Sequence, residues 1–244
     1  MSAQLDIFEK PLRFESLPEV VGAMEQWTDD PLAVEGTRVV VYRGDPKASV
    51  MLIGEAPGAE EDRRGQPFVG RSGQLLDQIL RAVDLDPERD VFVTNAVFRR
   101  PPENRKPTVE EISWYRPWLL EIVRLVDPKV ILLVGGVAVQ AVLDEKRGIT
   151  KIRGQWFDWH GRKVMPIFHP AYLLRNPSRT PGSPKALTWR DVQEVRRVVD
   201  TMDVDAEQGE ASEPGTVAAA GRAEAGEGPE RERESTMDPK EGGS

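Results

Sequence analysis

The chain has 244 residues, 39% of them apolar, with 33 basic and 41 acidic residues, two histidines and no cysteine. That length supports one substantial domain around a single core. The missing cysteines exclude disulfides, thiolate metal sites and cysteine nucleophiles, and no apolar stretch approaches the roughly 20 residues of a membrane span.

The amino-terminal MSAQLDIFEKPLRF lacks the charged-then-apolar pattern of a secretory signal, so a soluble, cytoplasmic protein is expected. Taken in chain order, strands are predicted at 38–42 (RVVVY), 50–54 (VMLIG), 91–97 (VFVTNAV), 129–135 (KVILLVG) and 164–168 (VMPIF). Several are apolar on both alternations, as strands covered on both faces are. Leu75, Leu76, Ile79, Leu80 and Val83 form an apolar stripe that predicts a helix over 72–83. Thr108 with Glu111 is a capping box opening a helix to about 125, which Pro117 is predicted to kink or divide. A short helix follows Gly135. Ser183-Pro184 opens a last one, with Trp189, Val192, Val195, Val199 and Met202 on one face. Alternating strands and helices of this kind predict a three-layer α/β/α sandwich around a mostly parallel sheet.

The net charge of −8 is unevenly placed: residues 203–244 hold 12 acidic and 4 basic residues, so residues 1–202 hold 29 of each. The body can therefore carry a local basic face. From Asp203 onward the chain is rich in Glu, Gly, Ala and Pro and poor in large apolar residues. Such a segment cannot bury enough surface to offset its ordering entropy. Residues 203–244 are expected to be a disordered acidic tail, either a solubility brush or a segment that binds a protein partner.

In open parallel sheets, ligands bind outside the carboxyl ends of the strands. Strand 50–54 runs into Glu55-Ala56-Pro57-Gly58, strand 91–97 carries Asn95 near its end, and strand 164–168 runs into His169-Pro170-Ala171-Tyr172. These can bring a carboxylate, an amide and an imidazole to one crevice. Gly65-Gln66-Pro67-Phe68-Val69-Gly70 adds an aromatic on a loop framed by Gly and Pro. Singly, each segment has a plainer reading: a strand-to-helix turn, a core aromatic, a local backbone partner, a structural histidine. GEAPG does not fit the phosphate-loop or dinucleotide fingerprints.

Together, GEAPGAEEDRRGQPFVGRSGQLLD, TNAVFRRPPENRKPTVEEI and FHPAYLLRNP, in this order and spacing, resemble the family 4, iron–sulfur type uracil-DNA glycosylases from about residue 24 to 200. The resemblance implies an α/β/α fold with a central four-stranded parallel sheet and a catalytic domain over residues 1–202. It implies excision of uracil from DNA, leaving an abasic site. By this resemblance Phe68 stacks on the flipped base, Asn95 reads its edge, and backbone groups at Gly54, Glu55 and Ala56 contact base and sugar. Glu55 stabilises the sugar cation and orients water, and His169 stabilises charge on a uracil oxygen. Leu173 or Leu174 is expected to wedge into the vacated stack, and Arg100, Arg105, Lys106 and Arg175 to contact phosphates. No lysine nucleophile is evident, so a monofunctional enzyme is expected. It is expected to act as a monomer, without a membrane partner, on single- or double-stranded uracil-containing DNA. The competing reading is a non-catalytic DNA-binding or scaffold protein with the same fold. A related family that forms a covalent DNA adduct uses a histidine in an inserted arginine-rich loop, which this chain lacks after Asn95.

The chain departs from the family at all four cluster cysteines. Trp27 and Asp30 stand in place of the CxxC before Pro31-Leu32, Arg99 stands two residues before the Pro-Pro pair, and Tyr115 follows the Glu-Glu-Ile segment. An iron–sulfur cluster needs thiolates, so no cofactor is expected. Asp30 is expected to pair with Arg99, while Trp27 and Tyr115 fill the vacated volume and offer Arg99 a cation–π contact.

Overall fold

The computed structural model describes residues 12–34 and 36–211, without the side chains of 203–211. Its elements in chain order are α1 (Leu17–Gln26), β1 (Tyr42–Gly44), β2 (Val50–Gly54), α2 (Ala59–Arg64), α3 (Arg71–Arg81), β3 (Val91–Asn95), α4 (Val109–Val126), β4 (Val130–Val134), α5 (Gly136–Leu143), α6 (Ile149–Ile152), β5 (Phe157–Trp159), β6 (Arg162–Ile167), α7 (Pro170–Arg175) and α8 (Pro184–Ala211).

The strands form one sheet in the order β1-β3-β2-β4-β6-β5. The inner four are parallel, and β1 and β5 add antiparallel edges. The sheet therefore has six strands where four were expected. The parallel centre matches the expectation, and the two short edge strands enlarge it. Side-chain alternation assigns each strand residue to a layer. Met51, Ile53, Phe92, Ile131 and Leu133 face α1, α4 and α5. Val50, Leu52, Val91, Val93, Val130 and Leu132 face the opposite layer, with Leu76 and Leu80 of α3 and Val192, Val195 and Val199 of α8. Apolar residues on both alternations are thus the requirement of a sheet covered on both sides.

Several boundaries differ from the sequence reading. The run RVVVY does not itself form a strand. Val40 and Val41 are buried, but ladder pairing with β3 starts at Tyr42. Strand β3 ends at Asn95, after which the backbone turns toward the 96–105 loop. Pro117 does not divide α4, whose flanking Tyr115, Trp118, Leu119 and Ile122 are buried on the core and hold the turns together. Trp189 leaves the apolar face of α8 and is 40% exposed. Helix α8 runs to Ala211, past the expected boundary at 202, while the rest of the acidic tail, 212–244, lies outside the described residues. Among the described residues no helix is long and apolar enough to cross a membrane.

The order β3-β2-β4 makes a topological switch point between β2 and β4, where the chain leaves the sheet centre in both directions. A crevice opens there, outside the carboxyl ends of the strands.

Candidate active site

Glu55, Ala56, Phe68, Asn95 and His169 line one cavity of about 500 Å³ at this switch point, with Gly58, Glu61, Ser72, Arg105 and Arg175. The segments converge because the backbone ties them together. Ala96 N–H donates to Gly54 O at 2.9 Å and Val97 N–H to Glu55 O at 3.1 Å, extending the β2–β3 pairing into the loop. Gly54 closes the floor: a Cβ there would lie 2.4 Å from both Asn95 Oδ1 and Phe68 Cζ. At the far side Gly135 has φ +94, and a Cβ there would press on His169.

Phe68 is held in a conformation that its chemistry does not favour. Its φ is +56, the left-handed region that non-glycine residues avoid. Two contacts over-determine it. Buried Arg43 donates Nε–H to Pro67 O at 3.0 Å, and Gly73 lets α3 approach so closely that a Cβ would sit 1.7 Å from Phe68 O. The ring is presented to the cavity, 6.1 Å from the His169 ring.

Glu61, not singled out by the sequence reading, joins the two motif loops. Its carboxylate accepts from Gly70 N–H at 2.7 Å and from Gly58 N–H at 3.2 Å. The available signal was Gly-x-x-Glu at a helix start, a capping-box spacing with glycine in the cap position. Arg43 and Gly73 gave no local signal, since their partners are distant in sequence or belong to backbone.

The electrostatics differ at each polar group. Burial raises the Glu55 carboxyl above its usual range, against the opposing pull of Lys106. Burial, assisted by Arg175 and opposed by Glu61, lowers His169 to about 4. His169 Nδ1 accepts from Ala171 N–H at 3.2 Å, so the proton of the neutral ring belongs on Nε2. Asn95 is 1% exposed, and its Nδ2 has no hydrogen-bond partner among the described residues. A buried amide donor without a partner costs about 1–3 kcal/mol, and a ligand acceptor in the cavity would remove that cost.

The expected DNA contacts separate into groups. Arg105 lines the cavity but is held by Glu111 at 2.6 and 2.8 Å in a bidentate pair, so its charge is already matched. Arg100 donates to Asn104 Oδ1 at 2.7 Å. Lys106 and Arg175 have no carboxylate partner among the described residues and are exposed. Leu173 is 1% exposed, packed away from the surface, and so cannot serve as a wedge; Leu174, on the exposed side of α7, can.

The four cluster positions do not fit an iron–sulfur group: they hold no thiolate, and three of them are engaged with each other. Arg99 Nε–H donates to Asp30 Oδ2 at 2.7 Å and Nη1–H to Thr37 O at 2.8 Å. The Tyr115 hydroxyl donates to Asp30 Oδ1, which also accepts from Leu32 N–H at 2.9 Å. Burial and Asp30 push the Tyr115 hydroxyl well above its usual range, so it remains a donor. Tyr115 packs edge-on against Phe98 and Trp114, and half-buried Trp27 against Trp118. The expected ion pair is present and buried Tyr115 packs beside it, whereas Trp27 lies half-buried against Trp118. The cation–π contact is not found among the described residues, because the Arg99 donors go to Asp30 and Thr37 instead.

A family model described as the uracil DNA glycosylase superfamily matches residues 41–193. The chain is 44% identical over 167 residues to the type-4 uracil-DNA glycosylase of Thermotoga maritima, covering 67% of this chain and 86% of that one. It is 40% identical over 151 residues to the type-4 enzyme of Sulfurisphaera tokodaii, covering 58% of this chain and 68% of that one. It is 35% identical over 171 residues to that of Archaeoglobus fulgidus, covering 67% and 85%.

Proposed function

Since this chain belongs to the uracil DNA glycosylase superfamily, as a type-4 kind of member without a cysteine, we propose that it hydrolyses the N-glycosidic bond of deoxyuridine in DNA. The observation that carries this reading is the unpartnered amide of Asn95 in a cavity that also presents Glu55, Phe68 and His169.

The target base leaves the stack, at a cost of a few kcal/mol that is least in a mismatch or a single strand. It stacks on Phe68, with Gly54 leaving room for the ring. Asn95 Nδ2–H donates to a uracil carbonyl, and Oδ1 accepts from the ring N–H. Backbone groups at Glu55 and Ala56 border the base and sugar. As the C1′–N1 bond breaks, its electron pair leaves with uracil and positive charge grows on the sugar. The Glu55 carboxylate stabilises that charge and orients a water, whose oxygen bonds to C1′ while its proton is taken up by Glu55 or solvent. Neutral His169 donates Nε2–H to the uracil oxygen where negative charge accumulates. Preorganised donors of this type contribute roughly 3–4 kcal/mol each. Base removal without strand cleavage is part of the proposal: Glu55 activates water, and among the described residues no lysine lines the cavity as a competing nucleophile. The activity is assigned to the body of the chain ahead of the acidic tail.

The test is uracil release from oligonucleotides carrying U·G, U·A or single-stranded uracil. Free uracil and an alkali-labile abasic site are expected. Retained DNA binding without release would instead mark a non-catalytic DNA-binding protein.

A further inference from the structure

A second concavity, larger than the first at about 620 Å³, lies between α3, α7 and α8. Its floor is apolar, with Ile79 of α3 and Leu173 of α7, and its rim carries Trp189, Arg179, Lys185 and Arg190. Two features set it apart from ordinary surface. Trp189 is 40% exposed although it sits one residue from buried Thr188 and two from Asp191. The cations are also unmatched. Arg153, Arg196 and Arg197 nearby pair with Asp191, Asp200 and Glu194, whereas Arg179, Lys185 and Arg190 have no carboxylate partner among the described residues.

We infer that this groove binds the DNA strand flanking the uracil, with a base stacked on Trp189 and phosphates on Arg179, Lys185 and Arg190. An indole with unmatched cations around it is the composition of a single-strand track, where every base offers a face to an aromatic and the backbone follows positive charge. Continuity argues for the same ligand as the cavity described above. Helix α7 is the wall between the two: Ala171 and Arg175 border the first cavity and Leu173 the second. Exposed Arg175, on the first cavity's side of this helix, adds a cation with no carboxylate partner among the described residues.

The inference rests on the uracil-release reading of the neighbouring cavity, and substrate length separates the two. The full chain and its Trp189→Ala and Lys185→Glu/Arg190→Glu variants are assayed on two single-stranded substrates. One has a single nucleotide on each side of the uracil; the other has about twenty nucleotides, longer than the ~4–16 that such tracks cover. On the longer strand, KM is expected to rise about tenfold in Trp189→Ala at unchanged kcat, a typical loss for one stacked base. In the double charge reversal, binding should depend less steeply on salt by at least about one unit of log–log slope, since each lost phosphate contact removes ~0.7. Neither variant should change kinetics on the short substrate. Equal KM for wild type and variants on the longer strand overturns the inference while leaving uracil release intact. Tighter DNA binding by Trp189→Ala also overturns it, since it would mark an occupant that competes with DNA, such as the chain's own acidic tail. No release by the wild type on either substrate would instead reject the reading of the first cavity.

Discussion

The guanidinium of Arg99 and the carboxylate of Asp30 meet at 2.7 Å with side chains only 10% and 3% exposed, where related enzymes are expected to hold two cluster thiolates. A buried pair of this kind is costly to break, because removing one partner leaves the other charge unmatched. Asp30 also accepts from Tyr115 and Leu32, so three groups depend on one carboxylate.

The stability order follows. Asp30→Ala should destabilise the fold by about 3–5 kcal/mol. Trp27→Ala should cost less, since that ring is only half-buried at the edge of the core, edge-on to Trp118. This reverses the order expected if the pair were at the surface, where ion pairs contribute little. A paired replacement, Asp30→Leu with Arg99→Met, should cost less than either single change. Thermal melts of the wild type, the single variants and the double variant decide it. A larger loss for Trp27→Ala would mean that the aromatic packing, not the ion pair, holds this region.

The catalytic assignment predicts separate losses of rate and stability. Replacing His169 or Asn95 with Ala should lower uracil release by about 10²-fold or more, the usual cost of a preorganised charge-stabilising donor. Asn95→Ala should leave the melting temperature unchanged or higher, because it removes a buried donor that has no partner in the free protein. Wild-type release by both variants would reject the site.

The acid limb of the rate should belong to Glu55. Its carboxyl must be ionised to stabilise the sugar cation, and burial raises its pKa. Activity therefore falls as pH drops through a value above that of an ordinary glutamate, about 4.3. His169 titrates near 4, so it stays neutral above that pH and adds no limb near its ordinary value of about 6.5. Lys106 lowers the Glu55 pKa, so Lys106→Ala should move the limb to higher pH. A profile of kcat/KM against pH that does not move in Lys106→Ala, and loses its limb in His169→Gln, would assign the titration to histidine instead.

How far this could be read without coordinates depended on whether a residue's reason is local. The parallel strands β2, β3, β4 and β6 were legible because burial on both faces demands continuous apolar runs. Strand β5 was missed as a three-residue segment, although its turn carried a signal. His160 and Gly161 both have positive φ, 48 and 79, between the paired Trp159 and Arg162, the geometry of a two-residue hairpin loop. The residues proposed to carry chemistry stood out through their motifs. The residues that hold them were not: Arg43 acts on Pro67 O from 24 positions away, and only the folded chain shows why residue 73 must be glycine. Leu173 and Leu174 are chemically identical neighbours, and only helix phase sends one inward.

That phase supplies a final prediction about DNA. Leu173 is buried between α3, α7 and α8, so Leu173→Ala should cost about 2–5 kcal/mol of stability, as truncations in packed cores do. Leu174 is 37% exposed, so Leu174→Ala should leave stability within about 0.5 kcal/mol of the wild type. If Leu174 fills the space of the flipped base, its loss should matter most where unstacking is hardest. Release should then fall in the order U·A more than U·G, with single-stranded substrate nearly unaffected, because the helix to be opened is strongest in the first and absent in the last. Single-turnover rates on the three substrates measure this directly. An equal fall on all three would place Leu174 in general substrate binding rather than in holding the duplex open, and no fall on any would remove it from the DNA interface.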